Sequence, residues 1–226
     1  MNEGATSHRA MTLTHILFDL DETLYPRQAG LLAVVNQRIA LWLQRTYDLS
    51  PEAAQALRRR YFLEHGTTLS GLVIERQIDV EGYLNFVHDV PVADYLDPNP
   101  DLVTMLDRIP LCKAVFTNAP LAYGTRVLER LGVIDRFVYL VGIQELGLRS
   151  KPQLEAYQRT LALLDVEPEA CILVEDRAQN LPPAKELGMT TILVDAAPDG
   201  GVDFTVGDVL EVGPLIDSLL DGDRGR

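Results

Sequence analysis

Basic residues are scarce in this chain: Lys and Arg together number 20 against 33 Asp and Glu, a formal net charge of −13 at pH 7. So acidic a protein repels a phosphate backbone, and neither DNA nor RNA is an expected partner. Long apolar runs are missing as well; stretches such as residues 31–35 fall far short of the ~18 residues that signal a membrane span. Residues 1–12 hold no apolar segment of the kind that marks an export leader, so a cytoplasmic location is expected. Cysteine is nearly absent: Cys112 and Cys171 have no His or Cys neighbours at zinc-ligand spacing. Each opens a short apolar run, which reads as a buried strand carrying a reduced thiol. Repeats and low-complexity tracts are missing too.

What is present is a globular composition, with 47% hydrophobic and 23% charged residues in a chain of 226. Short apolar runs at residues 15–18, 114–116, 137–141, 171–174 and 191–194 alternate with helical patterns. That alternation predicts an α/β fold of parallel strands joined by crossover helices, and runs that are nearly all apolar fit a sheet covered on both faces. Helices are predicted from Pro120 to Gly132, from Pro152 to Leu164 and from Pro183 to Gly188, with a last one over residues 209–220 and disorder over residues 221–226. Between the first two strands, however, about ninety residues intervene, far more than a crossover needs. In that stretch Leu31, Val34, Val35, Ile39, Trp42 and Leu43 recur at helical spacing, and Ser50-Pro51-Glu52 opens a second run of helix formers. We therefore expect a core domain of residues 1–25 and 98–226 and an inserted helical cap of residues 26–97. Its hinges would be Tyr25-Pro26 and the Pro- and Asp-rich residues 94–100.

The chemistry starts at Asp19 and Asp21, which follow the first strand in the run Phe18-Asp19-Leu20-Asp21-Glu22-Thr23-Leu24-Tyr25. An i, i+2 spacing puts both carboxylates on one side of extended backbone at the carboxyl edge of the sheet, where open α/β folds bind ligands. Alone, such a pair could be a solvated turn; Thr117-Asn118 could be an ordinary helix cap and Lys151 a surface lysine. Yet Thr117-Asn118, Lys151-Pro152 and Glu175-Asp176 each follow a predicted strand, and parallel strands bring their ends to one rim. Clustered acids need a cation, and hard carboxylate oxygens suit Mg²⁺. Asn180 could orient its loop or cap the Pro183 helix, with the cap favoured.

This ordered set resembles the haloacid dehalogenase superfamily over residues 16–195. The resemblance implies a Rossmann-like, doubly wound core with a C1-type cap and a phosphatase that works through an aspartyl phosphate. By that likeness Asp19 is the nucleophile and Asp21 the general acid and base, while Thr117, Asn118 and Lys151 hold the phosphate. Mg²⁺ would sit on the Asp19 carboxylate, the Asp21 carbonyl and the Asp176 carboxylate, with Glu175 behind it. The superfamily's strand order also puts the Cys112 and Cys171 strands on either side of the Asp19 strand, about 9.5 Å apart and beyond disulfide reach.

Within the superfamily the chain is similar to the pyrimidine 5′-nucleotidases, through residues 18–26, the stretch Tyr61-Phe62-Leu63-Glu64-His65-Gly66-Thr67-Thr68-Leu69-Ser70-Gly71-Leu72, and Leu96-Asp97-Pro98-Asn99-Pro100. The implied substrate is a small phosphorylated metabolite of the UMP or CMP kind. Phosphoglycolate, a sugar phosphate or a phosphomutase reaction is the alternative, and a phosphoacceptor signalling domain or an inactive binding protein is the rival outside enzymes. Tyr25, Arg27, His65, Thr67 and Thr68 are the candidates for substrate selectivity, whereas Tyr61, Phe62, Tyr83 and Phe86 read as cap core. His65 stands where the family commonly has tyrosine, and Glu175-Asp176-Arg177 departs from its Asp-Asp-Ser-like pattern. No function is assigned to His8, His15 or His88.

Overall fold

The computed structural model describes residues 12–194 and 201–224, so His8 and residues 195–200 lie outside it. Six parallel strands form one sheet: β1 (His15–Phe18), β2 (Cys112–Phe116), β3 (Tyr139–Val141), β4 (Cys171–Glu175), β5 (Thr190–Val194) and β6 (Phe204–Val206). Their order is β3-β2-β1-β4-β5-β6, the doubly wound arrangement in which the chain reverses direction across the sheet beside β1. β6, only three residues long, went unread in the sequence because so short a run carries no periodicity. His15 is in register with Cys112 on one side and with Cys171 on the other, and both thiols are free.

Alternation along the strands supplies the two core layers. Ile16 and Phe18 of β1 and Ile172 and Val174 of β4 face one layer, while Leu17, Cys171 and Leu173 face the other. The first layer is closed by α5 (Pro100–Arg108), α6 (Leu121–Leu131) and α9 (Val212–Arg224), the second by α7 (Leu154–Leu164) and α8 (Pro182–Leu187). Ends differ from expectation at three of these helices. Pro152 does not open α7; its peptide bond with Lys151 is cis, and the helix starts after Gln153, whose N–H is held by the Ser150 carbonyl at 2.8 Å. Asn180 does not cap α8, whose cap position is Leu181 with no side-chain hydrogen bond. α9 continues through Arg224 where disorder was expected from residue 221; residues 225–226 are outside the described part.

Between β1 and β2 lie α1 (Leu31–Tyr47), α2 (Pro51–His65), α3 (Thr68–Glu75) and α4 (Val80–His88). The Ser50 hydroxyl accepts from the Ala53 N–H at 3.2 Å and Pro51 takes the first helical position, as the sequence pattern predicts. These helices bury Leu43, Ala54, Tyr61, Leu72, Tyr83 and Val87 in a cluster of their own, which Ile143 joins from the loop after β3. Gly66 closes α2 at φ +81, a left-handed conformation natural to glycine, and a Cβ there would meet Pro152 Cδ at 2.9 Å. That close approach sets the turn between α2 and α3 directly against the Lys151-Pro152 loop.

Candidate active site

Asp19 is the first residue beyond β1, and its N–H still pairs with the Val174 carbonyl at 2.9 Å, which fixes its carboxylate at the sheet edge. The chain then turns instead of continuing in pleat: Leu24 N–H reaches back to the Leu20 carbonyl at 3.1 Å, and Glu22 adopts φ +64. Asp21 therefore arrives beside Asp19 through a turn, a correction to the extended backbone expected from its spacing. Its Oδ1 accepts two phenol hydrogen bonds, from Tyr25 at 2.5 Å and from Tyr123 of α6 at 2.8 Å. Neither contact was read in the sequence. Tyr123 gives only the hint of lying three positions beyond Pro120, and Tyr25, expected to face substrate, is buried with its hydroxyl spent on Asp21.

Lys151 joins three strand ends. Its amine, 1% exposed, donates to Asp19 Oδ1 at 2.7 Å, to Glu175 Oε2 at 2.7 Å and to the Phe116 carbonyl at 2.8 Å. The Asn118 side chain clasps the Lys151 peptide from both sides: Nδ2 donates to its carbonyl at 3.0 Å, and Oδ1 accepts from its N–H at 2.8 Å. Asn118 thus positions Lys151, with its side-chain amide already engaged. Thr117 is buried beside it, its N–H tied to the Val141 carbonyl at 3.0 Å and its hydroxyl accepting from the Ala119 N–H at 3.1 Å. Asn180 is buried on the same rim; its carbonyl accepts from the Tyr157 hydroxyl, so it orients the loop.

Acids outnumber cations here, and the proton affinities record it. Burial, followed by repulsion from Glu175, raises Asp19 to about 6 despite Lys151. Asp21 also rises to about 6, by burial first, against the pull of the Tyr25 hydrogen bond and with the Asp19 charge adding to the rise. Asp176 is raised by burial and then by Asp19, and Glu175 is raised by burial. For Lys151 burial acts downward, but Asp19 and Glu175 together outweigh it and its pKa is raised.

Such a set fits a hard divalent cation. Carboxylate oxygens of Asp19, Glu175 and Asp176 all lie within 4.8 Å of one another, and Asp176 Oδ1 is buried with no hydrogen-bond partner. Glu175 is otherwise occupied, by the Lys151 amine and by the Arg177 N–H at 3.2 Å. Asp19 Oδ1 accepts from Lys151 and its Oδ2 lies 3.4 Å from the Thr23 hydroxyl, so the open oxygen of the cluster is Asp176 Oδ1. Arg27, 59% exposed, donates to Asp176 Oδ2 at 3.3 Å and to Glu22 at 3.0 Å.

These groups open onto one cavity of about 750 Å³ between the sheet edge and the helices of residues 31–88. Arg27, Thr67 and Thr68 line it, as expected. His65 does not; its Nε2 faces Glu75 at 3.2 Å outside the cavity. Glu75 already pairs with Arg60, and it draws the ring away from the substrate space expected for it. Tyr61 is core as read, Phe86 packs against that core, and Tyr83 is core with one edge on the cavity. Phe62 departs from the reading: it lines the cavity under the Arg177 guanidinium, 5.5 Å from its ring centroid.

A family model for haloacid dehalogenase-like hydrolases matches residues 13–188. Phosphate metabolism protein 8 of Saccharomyces cerevisiae is 29% identical over 129 residues, 53% of this chain and 40% of that protein. The N-acetylmuramic acid 6-phosphate phosphatase of Pseudomonas aeruginosa is 26% identical over 194 residues, 82% of this chain and 83% of that one. In fold, the chain is similar to a phosphatase of this superfamily from Thermococcus onnurineus, with a TM-score of 0.63, 19% identity and coverage of 90% and 98% of the two chains. The chain therefore belongs to the haloacid dehalogenase-like hydrolases.

Proposed function

We propose that Asp19 attacks the phosphorus of a small phosphate monoester to form an aspartyl phosphate, and that Asp21 protonates the departing oxygen and later takes a proton from the attacking water. The observation that carries this reading is the Lys151 amine bridging Asp19 and Glu175, with the unpartnered Asp176 oxygen beside them. Lys151 holds the Asp19 carboxylate at a fixed angle and, with Thr117, meets the charge of the transferring group. Asp21, near 6 and steadied by two phenols, is matched to giving and taking a proton around neutrality. Asp19, the Asp21 carbonyl and Asp176 would hold Mg²⁺, which would supply charge neutralisation for phosphate and nucleophile.

A phosphorylated sugar is the favoured substrate, since that is what the Pseudomonas relative's name describes and the cavity of about 750 Å³ has room for it. UMP and CMP are the second reading, favoured by the Phe62 ring on the cavity wall. Against them stand His65, turned to Glu75, and the guanidinium already lying over Phe62. Such metabolites, and the two free thiols, suit the cytoplasmic location we propose. Phosphate release from UMP, CMP, AMP, GMP, phosphoglycolate, hexose phosphates and an aryl phosphate, with and without Mg²⁺, tests the proposal alongside Asp19→Asn. Turnover that survives Asp19→Asn or needs no divalent ion overturns it.

A further inference from the structure

Three guanidinium groups line the cavity, and they are not equally neutralised. Arg27 sits between two carboxylates, Glu22 and Asp176. Arg58 and Arg177 have no carboxylate within ion-pair distance among the described residues. Arg58, on α2, donates from Nη1 to Asn36 Oδ1 at 3.0 Å and from Nε to Gln55 Oε1 at 3.1 Å. Two neutral amides thus aim the group and leave its charge uncancelled. Arg177 lies over the Phe62 ring. Both side chains are half-buried, and burial acts first to lower the Arg58 pKa, opposed by Tyr83 and assisted by the Arg177 charge.

Holding two like charges toward one partly dry cavity is unfavourable on its own and becomes favourable when an anion enters. The phosphate under attack does not need them, since Lys151, Thr117 and the cation site already meet its charge. Guanidinium forks suit carboxylate and phosphate alike, because both present paired oxygens. The cavity therefore runs from the carboxylates, Lys151 and Arg177 at the sheet edge, where Asp21 and Asp176 feel the Arg177 charge, to the Arg58 guanidinium on the α2 wall, which has no carboxylate partner among the described residues.

Resting on the phosphatase reading, we propose that Arg58 and Arg177 form a second anion site, and that the preferred substrate is a phosphate monoester whose leaving group carries a further carboxylate or phosphate. UMP and CMP, whose leaving groups are neutral, are poor substrates on this account. The assignment also gives Asn36 and Gln55 a purpose, as the amides that orient Arg58.

The test compares matched esters on the full chain with Mg²⁺: phosphoglycolate against ethyl phosphate, phosphoglycerate against glycerol phosphate, and a hexose bisphosphate against the hexose monophosphate. The expected result is a kcat/KM higher by about tenfold or more for the doubly anionic member of at least one pair, carried by KM. The pairs separate a carboxylate from a second phosphate as the group recognised. Arg58→Gln should remove most of that ratio and Arg58→Lys should keep part of it; Arg177→Gln should reduce it too. Inhibition of the wild type by phosphonoacetate against ethylphosphonate reads the same preference without any variant. Equal efficiency within every pair, or an Arg58→Gln loss shared equally by both members, overturns the second anion site while leaving the phosphatase intact. No turnover of any ester instead defeats the phosphatase reading on which it stands.

Discussion

Replacing Lys151 by Met keeps the volume of the side chain and removes a charge that two buried carboxylates share. Asp19 is 7% exposed and Glu175 fully buried, so neither can turn to water for the lost partner. Removing one member of a buried ion pair costs about 3–5 kcal/mol, and here two carboxylates are stranded at once. Glu175→Gln is milder, at about 1–2 kcal/mol, because the amide oxygen still accepts from the Lys151 amine. The double variant leaves only Asp19 charged and should be destabilised by less than the sum of the two single changes, with a coupling of about 1 kcal/mol or more. Urea unfolding of metal-free protein at neutral pH measures all four corners of the cycle. Mg²⁺ held as proposed should restore part of the Lys151→Met loss, since it would bring positive charge to Asp19 and Asp176. Additivity within about 0.5 kcal/mol would refute the shared-charge argument.

Asp21→Asn should lower turnover of alkyl phosphates by about a hundredfold or more and that of aryl phosphates by less, because phenoxide leaves without a proton; equal losses would remove Asp21 as the acid. Tyr123→Phe should shift the alkyl-to-aryl ratio in the same direction, more weakly. Asp176→Asn should weaken Mg²⁺ activation, read as a higher half-saturating concentration, with unchanged metal dependence counting against Asp176 as a ligand. His88 supplies a pH test of stability. Burial lowers its pKa to about 4 from 6.5, and its Nδ1 faces the Leu84 carbonyl at 3.0 Å, a hydrogen bond the neutral ring donates. Unfolded chains take up the proton between those values and the folded protein does not, so the His88 contribution to stability should fall as pH drops from about 7 to 4, against the opposite contribution of Asp19 and Asp21, whose raised pKa values favour the folded state as pH falls. The shift sets a ceiling of about 3 kcal/mol, lowered by the ring's partial exposure. His88→Gln should flatten that slope, and an unchanged slope would exclude His88 as its source.

Much of the sheet was legible because its strands are short, largely apolar and closed by polar clusters. The flanking of β1 by the two cysteine strands appears as the pairing of His15 with both Cys112 and Cys171. Ser50-Pro51 marked the start of α2 for local reasons that act within one helical turn. The failures share a cause, which is contact between residues far apart in the chain. Tyr123 reaches Asp21 across 102 positions, and Asn118 clasps Lys151 across 33, so neither leaves a local pattern. His65 was misjudged because Glu75, ten positions away on the next helix, captures its ring. Arg58 carries no local signal of its place, since only the fold sets it beside Arg177 on a common cavity.

The account turns on Asp19 as the group that takes the phosphoryl. Rapid acid quench of the enzyme during turnover of a radiolabelled ester, followed by peptide mapping, observes that step directly. The label should appear on the peptide carrying Asp19, and Asp21→Asn should carry it for longer because hydrolysis of the intermediate loses its base. Label on another residue, or a single-turnover reaction that releases phosphate with no labelled protein at any time, would contradict the mechanism.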